Sequence, residues 1–311
     1  MAYVLETFGL SKRYKSHWAL KDVNMRVEKG DIYGFVGENG SGKTTVIRLI
    51  TGLISPTEGY LSLFGVSDRT DEVLKARKKL GAVVETPSIY LNMSAADNLK
   101  MQCGVLGVKE NTAEKIQTVL SEVGLFDLYA DKKRAGDYSL GMRQRLGLAM
   151  ALLGDPEFIV LDEPMNGLDP AGIVEIRELI LKLNREQGIT FLISSHILTE
   201  LALVATKYGI ISKGRLVKEI SADELKRECR SAVCIDVKDG ETERLGETVT
   251  EKFPQAECVY TPRGVKIYGE IALTALFKAV VDGGFTIERV NCVETGIEDY
   301  YLSLIGGMQD A

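Results

Sequence analysis

The chain has 311 residues, 45% hydrophobic and 26% charged, with a formal net charge of −6, enough to bury a sizeable core in two domains, or in one large and one small. An acidic balance of this size, with a pI near 5.3, argues against the basic footprint that nucleic-acid binding needs, so no nucleic-acid partner is expected. The five cysteines, Cys103, Cys229, Cys234, Cys258 and Cys292, form no CxxC pair; they suit a reducing cytoplasm, offer no metal-site spacing, and are each expected as a small buried hydrophobe.

The opening residues MAYVLETFGLSKRYK contain no long apolar run, so no secretory signal is expected. Strands are predicted at Val4–Phe8, Val23–Val27, Ile32–Val36, Tyr60–Phe64, Ala82–Glu85, Phe158–Leu161, Thr190–Ile193 and Tyr208–Ile211. Ile32–Val36, Phe158–Leu161 and Thr190–Ile193 are apolar throughout, as strands covered on both faces of a parallel sheet should be. The earlier strands alternate and are punctuated by VEKGD and SPTEG, which predicts an antiparallel flank. Helical periodicity marks Lys43–Thr51, Ala113–Val123, Leu140–Leu153 and Ala171–Gln187. Residues from about Asn92 to Gly136 show helical periodicity and little strand pattern, which predicts a helical insertion between Glu85 and the later sheet strands. The most apolar stretch, Leu146–Gly154, is far below the roughly 18 residues that a membrane helix needs.

Beyond ISKGRLVKEI the composition shifts. From Ser221 the order is helix, strand (Ala232–Val237), helix, a hairpin around Thr261–Gly264, helix (Ile271–Val281), strand (Thr286–Val293) and a last helix from Gly296. This β-α-β-β-α-β order predicts a small α+β sandwich of ferredoxin-like type.

Three motifs carry chemistry. Gly37, Gly42, Lys43 and Thr44 satisfy GxxxxGK(S/T) between an apolar strand and a helix, with Glu38, Asn39, Gly40, Ser41 and Thr45 completing the loop. Glycines let backbone N–H groups turn inward on phosphate oxygens, and the helix N-terminus adds positive potential. Lys43 is expected on the β- and γ-phosphates and Thr44 on Mg²⁺. Next, FIVLDEP places Asp162 and Glu163 at the end of a buried strand, where open α/β sheets bind ligands. Beside a phosphate loop the pair divides naturally: Asp162 holds the Mg²⁺ shell and Glu163 polarises the attacking water. Finally, Ser139 and Gly141 in YSLGMRQRLGLAMAL begin an amphipathic helix, where hydroxyl and backbone donors bind an anion or simply cap the helix.

Taken in order, these motifs resemble the nucleotide-binding subunit of an ATP-binding cassette transporter, over residues 1–220. Tyr138-Ser-Leu-Gly-Met142 stands where that family has its LSGGQ signature, followed by Arg143-Gln-Arg145. LDEP matches its Walker B segment, Gly167–Pro170 its D-loop with Asp169, and SSHILTE its switch histidine, His196. Tyr14 stands where the family stacks adenine on an aromatic ring. The resemblance implies a P-loop NTPase (RecA-like) core with an antiparallel β flank over 1–220. A helical subdomain at about 86–150 and a small α+β accessory domain over 221–311 complete the expectation. It implies ATP and Mg²⁺ as cofactors and a second copy of the chain across two shared ATP molecules, each between one subunit's phosphate loop and the other's signature serine. His196 would contact the γ-phosphate and the attacking water. The implied partner is a membrane permease on a separate chain, and the implied location is cytoplasmic, peripheral on the inner face of the membrane.

Two departures stand out. Glu85, in GAVVETPSIY, occupies the position of the family's glutamine; a carboxylate there can still ligate Mg²⁺ or its water, but adds negative charge near the γ-phosphate. In the signature, Leu140 replaces Gly and Met142 replaces Gln. Both features, with the C-terminal stretch Thr295–Gly307, resemble the branch of exporters that protects bacteria from bacitracin and lantibiotic peptides. The competing reading is a soluble cassette ATPase acting on a non-membrane partner such as the ribosome; a regulatory ligand on residues 221–311 is a third. His17 matches no motif and is expected as a surface residue next to Trp18.

Overall fold

The computed structural model describes residues 2–229, 232–269, 271–293 and 296–306, and divides into two compact units, Met1–Ala222 and Asp223–Ala311. In the first unit, β1 (Tyr3–Tyr14) pairs antiparallel with β2 (His17–Val23), β3 (Arg26–Glu28) and β5 (Glu58–Leu63), and β6 (Val66–Ser67) closes the edge beyond β5. The single strand expected over Val23–Val27 is broken. Asn24 takes the Gly9 amide on its side-chain oxygen and donates back to the Asp22 carbonyl. This local turn moves the chain from one stretch of β1 to another.

A second sheet has the order β11 (Arg215–Ser221), β10 (Lys207–Ser212), β4 (Ile32–Val36), β9 (Thr190–Ser195), β8 (Phe158–Asp162) and β7 (Leu80–Val83). All of its pairings are parallel except β10 with β11. β4, β8 and β9 are buried along their whole length, which is why they read as unbroken apolar runs. Between the sheets runs α1 (Lys43–Thr51), whose Val46, Ile47, Leu49 and Ile50 join Leu5 and Leu10 of β1 and Phe158 and Leu192 of the parallel sheet in one core.

α2 (Val73–Arg77) precedes β7, and the expected helical insertion between β7 and β8 consists of α3 (Ala95–Leu106), α4 (Thr112–Glu122) and α5 (Leu140–Leu152). α3 starts on a reciprocal cap, Ser94 and Asp97, and ends on Gly107 at φ 75°. α6 (Pro170–Gln187) starts on Asp169 with Pro170 in its first turn and ends on Gly188. The short α7 (Leu198–Leu201) is the last helix of this unit, and α8 (Ala222–Glu228) starts at the boundary and runs into the second.

The second unit is built from β12 (Ala232–Val237), α9 (Thr242–Lys252), β13 (Glu257–Thr261), β14 (Gly264–Tyr268), α10 (Leu273–Asp282), β15 (Ile287–Val293) and α11 (Ile297–Gly306). Its sheet order β13-β14-β12-β15 is antiparallel throughout, the arrangement of the split β-α-β sandwich expected from the sequence. Ile235, Val265 and Ile267 of the sheet pack against Leu245, Val249, Leu276 and Val280 of α9 and α10.

Of the five cysteines only Cys103 is buried. Cys292, on the edge strand β15, is exposed, and Cys229, Cys234 and Cys258 are half-buried, which corrects the expectation of five buried thiols. Thr295 and Gly307, the ends of the last stretch singled out in the sequence, lie outside the described residues. No helix among the described residues is long and apolar enough to cross a membrane.

Candidate active site

The phosphate loop leaves the carboxyl end of β4 and enters α1 at Gly42, which has φ 112° and ψ 1°, a conformation that glycine tolerates and L side chains rarely adopt. At Gly37 the reason for glycine is space: a Cβ would sit 2.5 Å from the Ile211 carbonyl oxygen and collide with the Ser41 hydroxyl. Lys43, only 6% exposed, folds back over the loop. Its Nζ donates to the carbonyls of Gly37 (2.6 Å) and Glu38 (3.2 Å) and lies 3.2 Å from Glu163 Oε1. The Ser41 hydroxyl is buried without a hydrogen-bond partner, and an orphaned buried donor on a glycine-rich loop fits an anionic ligand. Asn39, Gly40, Gly42, Lys43, Thr44, Thr45 and Glu163 line a cavity of about 220 Å³ here, with His17 and Ala19 of β2. Cavities of about 310, 390 and 580 Å³ lie elsewhere in the first unit, so the chemistry of the lining rather than size marks the site.

Strand order explains how distant motifs meet. β9 lies between β4 and β8, so its carboxyl end separates the phosphate loop from the acidic pair. Asp162 is 3% exposed and accepts a 2.6 Å hydrogen bond from the Ser194 hydroxyl, which in turn accepts from the Glu163 amide at 2.9 Å. Glu163 has φ 50°, a left-handed position unusual for a side chain with a Cβ. That turn swings its carboxylate back over the site, where Oε1 meets Lys43 and Oε2 meets His196 Nδ1 at 2.8 Å. Lys43, Glu163 and His196 thus form one continuous polar chain, with Asp162 fixed beside it through Ser194. Motif reading alone does not single out Ser194; its signal is the hydroxyl pair in FLISSH.

The remaining candidates form a second group. Ser139 caps α5 by accepting from the Met142 amide at 3.2 Å, and Asp169 caps α6 by accepting from the Gly172 amide at 3.1 Å. A Cβ on Gly167 would lie 3.3 Å from the Leu140 side chain, and one on Gly141 would lie 3.8 Å from Leu168, so the signature and D-loop segments adjoin. None of these residues lines the phosphate-loop cavity. Tyr138 anchors the signature: its buried hydroxyl accepts from the Ala95 amide and donates to the Lys133 carbonyl, and burial raises its pKa.

Tyr14 sits at the tip of the β1–β2 hairpin, 42% exposed, with Lys12 Nζ 5.4 Å from its ring centre. β7 ends at Val83, two residues before the expected end at Glu85, which lies beyond the strand, takes φ 60°, and pairs with Arg48 of α1 rather than lining the cavity. His17 is exposed, as expected, yet it lines that cavity, a role the motif reading did not give it.

A family model described as ABC transporter matches residues 20–166. The bacitracin transport ATP-binding protein BcrA of Bacillus licheniformis is 39% identical over 311 residues, covering 99% of this chain and 99% of that protein. The lantibiotic transport ATP-binding protein SrtF of Streptococcus pyogenes is 40% identical over 220 residues, covering 71% of this chain and 92% of that protein. Among solved structures, a dimeric ATP-binding cassette in a post-hydrolysis state bound to ADP and Pi superposes with a TM-score of 0.63 at 26% identity, over 70% of this chain and 98% of its own. An ATP-binding cassette of an ABC transporter in its ADP conformation gives 0.64 at 26% identity, over 72% and 94%.

Proposed function

The chain belongs to the ABC transporter family and is an ATPase, and we propose that it powers a separate membrane permease that exports an antimicrobial peptide. The observation that carries the catalytic half is the Lys43–Glu163–His196 chain at the mouth of the phosphate loop. Lys43 binds the terminal phosphates of ATP, a task that requires it to exchange Glu163 for phosphate oxygens. Glu163, once released, orients and deprotonates the attacking water. His196 holds the Glu163 carboxylate on one side and reaches the γ-phosphate on the other. Mg²⁺ would neutralise phosphate charge when bound; the half-buried Thr44 hydroxyl in the first turn of α1 and the buried Asp162 carboxylate, fixed by Ser194, are the donors that would hold it. Glu85 would join that shell only by giving up Arg48, since it does not line the cavity.

The separation of the second group, Ser139, Gly141 and Asp169, from the phosphate-loop cavity supports a head-to-tail pair of chains in which one copy's signature closes the other's ATP. Tyr14 carries the adenine. The export role rests on similarity over nearly the whole chain to a bacitracin transport subunit; in that role the chain would work in the cytoplasm on the inner face of the membrane. The test is affinity purification of the tagged chain from detergent-solubilised membranes of its host, with mass spectrometry of what copurifies. A polytopic membrane protein in stoichiometric amount is expected. Ribosomal or other soluble partners in its place would overturn the transport reading and leave the ATPase standing.

A further inference from the structure

We propose that His17 is a nucleotide-binding residue that donates a hydrogen bond to the α-phosphate, next to the sugar. This rests on the nucleotide site described above. β2 is fastened to the phosphate loop by hydrogen bonds and close packing. The Lys21 amide donates to the Gly214 carbonyl at 2.8 Å, and the Gly214 amide donates to the Ser41 carbonyl at 2.9 Å. Ala19 and Leu20 press on Gly42 so closely that a Cβ there would lie 3.0 Å from the Ala19 oxygen and 2.6 Å from Leu20 Cδ2. β2 therefore moves with the loop, and its first residue, His17, is carried to a fixed place on the cavity wall.

Chemistry then assigns the role. His17, Lys43 and Glu163 are the ionisable residues on that wall. Lys43 and Glu163 engage each other and Glu163 engages His196, whereas the His17 side chain makes no hydrogen bond or ion pair among the described residues. A free imidazole N–H facing a phosphate cradle is a donor in want of an acceptor. Position along the nucleotide follows from the strand register. His17 lies directly opposite Tyr14 in the β1–β2 pairing, so it stands next to the proposed adenine platform, while Lys43 at the start of α1 reaches the distal phosphates. Between base and distal phosphates, the phosphate oxygens available to His17 are those of the α-phosphate. His17 is exposed and lies outside the core, so its replacement leaves packing intact.

The test uses the full chain and fluorescence displacement of mant-ATP by ATP, ADP, AMP and adenosine. His17→Ala is expected to weaken ATP, ADP and AMP alike by roughly three- to tenfold, the range of one hydrogen bond, and to leave adenosine unchanged. His17→Arg, which keeps a donor there, should recover most of the loss. An unchanged affinity for all three nucleotides overturns the inference, and so does a loss confined to ATP, which would move the contact to the γ-phosphate. A loss that includes adenosine assigns His17 to the base or sugar and overturns it as well. Lys43→Ala separates the two levels of the argument: mant-ATP binding by the unmodified chain that Lys43→Ala leaves intact would sink the site itself. Binding that Lys43→Ala abolishes and His17→Ala leaves unmoved sinks only the role of His17.

Discussion

The two units bury different things. Every buried Lys, Asp, Asn, Gln, Ser or Thr side chain among the described residues, including Lys43, Asn98, Gln144, Asp162 and Ser194, belongs to the first unit. So does every left-handed residue other than glycine, Glu85 and Glu163 among them. In the second unit the buried cluster is aliphatic: Ile235, Val237, Leu245, Val249, Val265, Ile267, Leu276 and Val280. Buried polar groups and strained backbone both cost free energy and persist only where the surroundings over-determine them. The first unit does this by threading a buried α1 between two sheets and lining up three strand ends. The second packs its sheet and two helices around an aliphatic core, which suffices for a fold but arranges no reacting groups.

The sharpest way to break this comparison is Glu163→Gln. If the strained carboxylate is the general base, steady-state ATP hydrolysis falls about 10²- to 10⁴-fold while ATP still binds. Hydrolysis at the unmodified rate would mean that the left-handed turn at Glu163 serves only to close a loop, and the contrast between the units would lose its functional meaning. The complementary change is Leu276→Ala in the second unit. Leu276 is fully buried, and truncation of such a side chain costs about 2–5 kcal/mol. We expect the second unit to melt earlier in calorimetry while ATP affinity stays within twofold. A parallel loss of ATP affinity would show that the units are one cooperative body.

How much of this was legible in the sequence follows the same division. The parallel strands β4, β8 and β9 announced themselves because burial on both faces leaves no polar position in the run, and the phosphate loop because its glycines answer to backbone geometry. The α+β order of the second unit was readable because each element has a single apolar face. What the sequence hid is set by three-dimensional closure. Nothing local distinguishes Val23–Val27 from a continuous strand; the break depends on Asn24 meeting Gly9, 15 residues upstream. Ser194 looks like a strand residue until β9 and β8 pair and bring it between Asp162 and Glu163. His17 looks like surface until the hairpin folds over the phosphate loop. Arg48, the partner of Glu85, is one more helix residue until β7 places the carboxylate beside it. Roles carried by pairs from separate elements have no signature in either element.

The smallest effect tests whether polar burial in the first unit stabilises it at all. Tyr33, on β4, is fully buried and donates a 2.7 Å hydrogen bond to Glu219 Oε1, an oxygen that also accepts from the Arg26 amide. Burial first, and then the Glu219 carboxylate, raise the Tyr33 pKa well above its usual value. Tyr33→Phe keeps the ring and deletes the donor, so a loss of about 1 kcal/mol is expected at pH 7. The pH dependence fixes the cause. A phenol whose pKa is raised in the folded state contributes stability that is fully present below the unfolded value of about 10. Above it only the unfolded chain releases the proton, and that contribution drains away toward the folded pKa. Denaturant titrations of the two proteins should therefore differ by a constant amount from pH 7 to 9, and the difference should shrink above about pH 10, where the other tyrosines affect both proteins alike. Equal stability at pH 7 would show that this buried pair is tolerated rather than stabilising.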